Sequence, residues 1–296
     1  MKRILLTCLL LAAYCRAADD FSTAPSGQGD PMVAYWTKAL SGAEGDLRED
    51  ILTEIQDLRL RPIVPVLLKL LESLDDSYQI ERTCEVLGET GDVRAGEALA
   101  RVAVRGTRCG DRYVAAKSVG LVGGEPAAAF LIDAIERKDR YAREGAAWAL
   151  SFLDCDQAVS PLKRVMAEPE GPLTPAIGYA ICRIGGPSSC SYLIDQLSAS
   201  HPDARGAAAF GLGWQGPKAA MPLVRCLLSD ESAQVQTLAA ESLFRIGGGQ
   251  DAARALEDAV SNNDDRAIRE YALGALAGFA ARYKRDKGSV SRTAMR

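Results

Sequence analysis

A short stretch, Tyr141–Asp154 (YAREGAAWALSFLD), returns in altered spelling about every 31 residues, and this period constrains the fold more than any other feature. Related copies are Gly110–Gly123 (GDRYVAAKSVGLVG), Asp203–Gly216 (DARGAAAFGLGWQG) and Glu231–Gly247 (ESAQVQTLAAESLFRIG). Aligned on the terminal turn residue, the copies share anchors at Arg59, Gly91, Gly123, Asp154, Gly185, Gly216, Gly247 and, after a small insertion, Ala280. Four residues before each anchor stands an aliphatic side chain: Ile55, Leu87, Val119, Leu150, Ile181, Leu212, Leu243 and Leu276. Eight residues before lie Ile51, Thr83, Ala115, Ala146, Ile177, Ala208, Ala239 and Ala272, and the next position is again mostly small.

Positions eight, seven, four and one before the anchor form one stripe of a 3.6-residue helix. Small residues in that stripe let neighbouring helices come close, and an anchor glycine suits a helix C-terminus, where the left-handed conformation costs it least. One helix pair per period, repeated in tandem, predicts an all-α fold: an α-solenoid of about eight helix-pair repeats. No run of alternating strand character interrupts the pattern.

Two further columns carry a resemblance. An arginine opens the second helix at Arg48, Arg112, Arg143 and Arg205, often after a loop aspartate such as Asp46, Asp111 or Asp203. A proline opens or enters the first helix at Pro62, Pro126, Pro161, Pro187, Pro217 and Pro222. The unit resembles the short HEAT repeat, of the kind also found in phycobilisome-lyase proteins, over residues 31–283. Copy one and copy five, where Thr174 replaces the arginine, depart furthest from it. The resemblance implies that the second helix of each pair lines the inner face of the array, where a partner is held.

The N-terminus reads as a bacterial-type secretory signal. Lys2 and Arg3 precede the apolar stretch Ile4–Tyr14, which is too short for a membrane span, and Cys15-Arg16-Ala17 offers a cleavage site. Acylation of Cys15 is disfavoured by the bulky Tyr14 before it. The expectation is an exported protein, periplasmic or extracellular, with signal 1–17, a flexible lead-in 18–30, the repeat array 31–283 and a basic disordered tail 284–296. No other hydrophobic run is long enough to span a bilayer. Loss of three cations with the signal would take the net charge from −4 to −7. That argues against nucleic-acid binding, which rests on cationic contacts to phosphate.

Six cysteines follow the signal, and export allows disulfides. Cys182 and Cys190 flank the turn Ile184-Gly185-Gly186-Pro187 and are the most plausible local pair; the alternative is that the cysteines are small buried hydrophobes.

Little in the chain points to catalysis. The single histidine, His201, sits in a turn (ASHPD), with no G-x-S-x-G motif to accompany it. HEAT-like iron hydroxylases, by what the resemblance implies, need several His-Glu pairs. No Cys-x-x-Cys pair suggests zinc or redox chemistry, and the glycine pairs follow helices and lack the P-loop lysine. No catalytic residue, metal ligand or cofactor is expected.

The sharper signal lies six residues before the anchors: Thr53, Glu85, Lys117, Trp148, Tyr179, Phe210, Glu241 and Gly274. Charged residues in this column place it at least half exposed. Trp148, Tyr179 and Phe210 are then a ladder for an extended peptide or apolar ligand, or a ladder that packs on itself. Tyr113 and Glu144 stand beside it, ten residues before their anchors, in a column also holding Glu49, Glu81 and Glu270. These features favour an exported, non-enzymatic scaffold that binds a protein or peptide along its inner face. The alternatives are a lyase or enzyme-accessory protein of the phycobilin-lyase group, and a structural component of an envelope complex.

Overall fold

The computed structural model describes residues 31–137, 139–167 and 173–293. The expected signal and lead-in, and most of the proline-rich stretch between Ala167 and Leu173, lie outside the described residues. Sixteen α-helices and no strands occur among the described residues, joined in places by single 3₁₀ turns. They run α1 (Pro31–Ser41), α2 (Gly45–Leu58), α3 (Val64–Glu72), α4 (Ser77–Thr90), α5 (Gly96–Arg105), α6 (Cys109–Val122), α7 (Glu125–Glu136) and α8 (Arg140–Leu153). There follow α9 (Val159–Ala167), α10 (Pro175–Gly185), α11 (Ser188–Gln196), α12 (Pro202–Leu212), α13 (Ala220–Ser229), α14 (Ala233–Ile246), α15 (Gln250–Asn262) and α16 (Arg266–Thr293). Even-numbered helices are the second members of the pairs. The fold is an all-α solenoid in construction.

The chain divides into two compact units, one ending at Phe130 and the other starting at Leu131. In the first, α2 packs on α4 and α4 on α6. In the second, α8, α10, α12, α14 and α16 pack in that order, each on the next. The aliphatic column forms the core of both. Ile55, Leu87, Val119, Leu150, Ile181, Leu212 and Leu243 are all 0% exposed, and only Leu276, in the last repeat, is half-buried. The column eight before the anchor is buried throughout, from Ile51 to Ala272. Burial follows from period alone, since both columns fall on the stripe that meets the neighbouring helix.

The small-residue positions set how closely helices meet. A Cβ on Gly178 would stand 1.8 Å from the carbonyl oxygen of Ala207, and one on Gly211 would stand 2.4 Å from that of Gly178. Helices α10 and α12 are therefore in backbone contact at a place only glycine permits.

The repeat arginine has a structural use. Its guanidinium turns back to cap the C-terminal carbonyls of the first helix in the same pair. Arg48 donates to Ala43 O at 2.9 Å, Arg112 to Gly106 O at 3.1 Å, Arg143 to Ile135 O at 3.1 Å and Arg205 to Ala199 O and Ser200 O at 3.0 Å. Arg269 in the last repeat does the same to Asn263 O at 2.6 Å, and Gln236 substitutes an amide, reaching Asp230 O at 2.7 Å.

The anchors mark helix ends in most copies. Gly91, Gly123, Gly216 and Gly247 take positive φ, and so do the non-glycine anchors Arg59 (φ 48°) and Asp154 (φ 56°). Two details differ from expectation. Gly185 stays helical and its neighbour Gly186 makes the left-handed turn. Helix α12 stops at Leu212, four residues short of its anchor Gly216, because bonds from Gly213, Trp214 and Gln215 to the third residue back tighten the chain into a turn. The last helix continues to Thr293, beyond the array end expected at residue 283 and into the stretch read as a disordered tail. Its lysines and arginines are good helix formers and no proline stops them.

Candidate binding face

Positions two, six and ten before the anchor share one face of the second helices, and the two units use it differently. In the first unit the face is a polar network. Arg82, 12% exposed in its side chain, donates to Glu49 at 2.6 Å, Gln56 at 2.6 Å and Thr53 at 3.0 Å, and lies 3.4 Å from Glu85. Tyr113 is on the same unit, 48% exposed.

In the second unit the face is aromatic. Trp148 on α8 and Tyr179 on α10 lie 4.8 Å apart between ring centroids, tilted by 45°. Tyr179 then meets Trp214 edge-on at 5.1 Å, and Phe152, one turn along α8, stacks with Trp148 at 6.5 Å. The column is less open than the sequence suggests: Tyr179 is 9% exposed and Trp148 and Phe210 are half-buried. Ring-on-ring packing removes water from positions that other copies give to Glu85, Lys117 and Glu241, all exposed. Glu144, one turn before Trp148, is half-buried and has an interaction of its own.

Phe210 joins the strip through an arginine. Arg245 on α14 places its guanidinium carbon 5.1 Å from the Phe210 ring centroid and 4.6 Å from that of Trp214. Its Nη1 is buried without a hydrogen-bond partner, and burial lowers the pKa of the guanidinium, with Glu241 acting against the shift. Gly213 makes room for it, since a Cβ there would sit 2.4 Å from Nη1. Trp214, Phe152 and Arg245 are the residues the sequence reading missed. The signal was available two residues before the anchors, where Phe152, Arg183, Trp214 and Arg245 alternate ring and guanidinium.

Beyond Arg245 the face opens into a groove of about 690 Å³ between α14 and α16, lined by Glu241, Phe244, Arg245, Glu270, Tyr271 and Gly274 among others. Phe244 is 54% exposed, and Glu270 is held by Arg266 at 2.9 Å.

Cys182 and Cys190 are free thiols in the structure, as are Cys84, Cys109, Cys155 and Cys226. Gln215 Nε2 donates toward Cys182 Sγ at 3.1 Å. Burial pushes the Cys182 thiol up to about 11 against that hydrogen bond, and the nearby Cys190 adds to the rise. His201 caps α12, its Nδ1 accepting from Asp203 N at 3.2 Å. Among the described residues no helix is long and apolar enough to cross a membrane, and no group of three or more His, Cys, Asp or Glu is placed to hold a metal ion.

Residues 191–277 match a family model described as HEAT repeats. No curated protein matches the chain. Solved structures it resembles include human deoxyhypusine hydroxylase, at 18% identity and TM-score 0.36, covering 84% of this chain and 96% of that one. The CpcE–CpcF complex of phycocyanin lyase from Nostoc sp. PCC7120 matches at 17% identity and TM-score 0.33, over 86% and 97% of the two chains. A designed armadillo repeat protein in complex with the peptide (KR)4 matches at 14% identity and TM-score 0.32, over 83% and 99%. At these TM-scores the likenesses bear on neither fold detail nor function. Residues 191–277 therefore carry HEAT repeats, and the helix pairs and arginine-capped first helices that precede them follow the same plan.

Proposed function

We propose that this chain is a non-enzymatic scaffold that holds a protein or an extended peptide on the aromatic face of its second unit. One observation carries the reading: the strip Phe152–Trp148–Tyr179–Trp214 runs from α8 across α10 to the turn after α12 and leads by way of Arg245 to an open groove, with Trp214 still 49% exposed. An exposed aromatic such as Trp214, backed by packed rings, is typical of contact sites. A non-catalytic role agrees with the use of the single histidine as a helix cap. We place the protein outside the cytoplasm, after cleavage following Ala17, on the Lys2-Arg3 and Ile4–Tyr14 pattern.

The test is crosslinking followed by mass spectrometry in native extracts, with Trp214→Ala and Trp148→Ala compared with the parent chain. The reading expects a defined crosslinked partner that both variants lose while helical circular dichroism is unchanged. Retention of the partner by both variants would show that the face is not the site.

A further inference from the structure

The row two residues before the anchors decides what chemistry the face would read. Along it Arg183 and Arg245 alternate with Phe152 and Trp214, and among the described residues neither arginine makes an ion pair. Elsewhere in the chain such cations are used. Arg205, 8% exposed in its side chain, grips Asp230 at 2.8 and 3.0 Å, and Arg82 grips Glu49. Arg245 instead has its guanidinium carbon over the Phe210 and Trp214 rings and its Nη1 closed in beside Gly213, which leaves the Nε and Nη2 donors for a ligand. A guanidinium edge offers paired N–H donors whose spacing matches a carboxylate.

Resting on the binding-face reading above, we propose that Arg245 and Arg183 take two carboxylates of an acidic, apolar-rich extended segment of a protein partner, with the α14–α16 groove receiving an apolar side chain beside Arg245.

Two observations favour an acidic over a basic segment. The first is the difference in solvation between the competing charges. Arg245 is half-buried and its Nη1 is closed in beside Gly213 without an acceptor, so a carboxylate arriving at the remaining Nε and Nη2 donors neutralises a partly desolvated charge. Glu241, the groove carboxylate that would attract a basic segment, is exposed, and water already screens it. Glu270 is taken by Arg266, and Glu144 has its own interaction. The second is spacing. Arg183 and Arg245 hold the same position on helices two apart in the packing order α10, α12, α14. At roughly 9 Å per helix step they stand on the order of 20 Å apart. An extended chain rising about 3.3 Å per residue covers that in about six residues. Trp214 lies between them to receive the apolar residues of the span. The groove is open where it needs to be, since a Cβ on Gly274 would meet no atom within 4 Å.

Fluorescence anisotropy on the full chain tests this with two labelled peptides of leucine and serine. One carries two glutamates about six residues apart, the other two lysines at the same places. The glutamate probe should bind, with the lysine probe weaker by roughly tenfold or more. Arg245→Gln should weaken the glutamate probe by roughly tenfold, and Arg183→Gln by less, because Arg183 is exposed. Gly274→Leu should block the probe without lowering the melting temperature. Equal or tighter binding of the lysine probe, or a glutamate probe indifferent to Arg245→Gln, would overturn the ligand chemistry. Failure of both probes would overturn it too. In either case the face itself stands or falls separately, on whether Trp214→Ala loses the crosslinked partner.

Discussion

Gly178 and Gly274 show how one residue type has opposite value at two places in one fold. A methyl group on Gly178 would collide with a backbone carbonyl, which has no side-chain freedom to retreat, so α10 and α12 must separate. We expect Gly178→Ala to lower the unfolding free energy by about 3 kcal/mol, the upper range for overpacking, read as a shift of the urea midpoint. Gly274 lies in α16 with open space around its would-be Cβ, so Gly274→Ala should raise stability by about 0.5–1 kcal/mol through helix propensity alone. Equal effects of the two substitutions would mean that α10 and α12 are not in backbone contact. Charge placement gives a second pair. Leu150→Asp buries a carboxylate at a site with 0% exposure and should abolish cooperative thermal unfolding. Glu85→Gln, at a side chain 51% exposed and 3.4 Å from Arg82, should change stability by less than about 0.5 kcal/mol.

The repeat arginine joins elements rather than decorating one. In the sequence it reads as a residue opening the second helix; in the structure it closes the first. The column was legible because its spacing is fixed, but its acceptors are backbone carbonyls, which no side-chain pattern reports. Arg205 adds a cross-repeat bond to Asp230, with both side chains less than a tenth exposed. Arg205→Ala should therefore cost about 3–5 kcal/mol in a urea melt, since it strands Asp230 as well as two carbonyls. Arg48→Ala, which frees one carbonyl and an amide partner, should cost about 1 kcal/mol. A similar loss from both would show that the Asp230 pair is not formed in solution. The same contrast explains the binding face. Burial of the aliphatic columns follows from the helix period, so Ile55 to Leu243 could be named in advance. The partner of Tyr179 could not, because it depends on where α12 ends. Stopping at Leu212 puts Trp214 on the turn, against Tyr179, and leaves Phe210 to meet Arg245 instead.

At the scale of the whole chain, the proposed export and the observed packing together bear on the thiols. Outside the cytoplasm six cysteines would face oxidising conditions, and a thiol reacts through its thiolate. The fold protects most of them. Cys84, Cys182 and Cys226 are buried, Cys155 and Cys190 half-buried and Cys109 exposed. Burial drives the Cys226 thiol up to about 12 and Cys182 up to about 11, and it raises Cys84 as well. A raised thiol pKa keeps the group protonated below that value, so these three stay neutral and unreactive from pH 7 to 9, and their thiolates grow only as pH climbs toward 11. Brief iodoacetamide treatment of the native chain at pH 8, followed by peptide mass spectrometry, should modify Cys109 first and leave Cys84 and Cys226 untouched. In urea all six should react. Intact mass of the protein taken from an envelope extract should correspond to a chain beginning at Ala18. Alkylation of Cys226 as fast as Cys109 in the native state would mean that α13 and α14 open readily, and a chain still carrying Met1–Ala17 would remove the oxidising compartment from the argument.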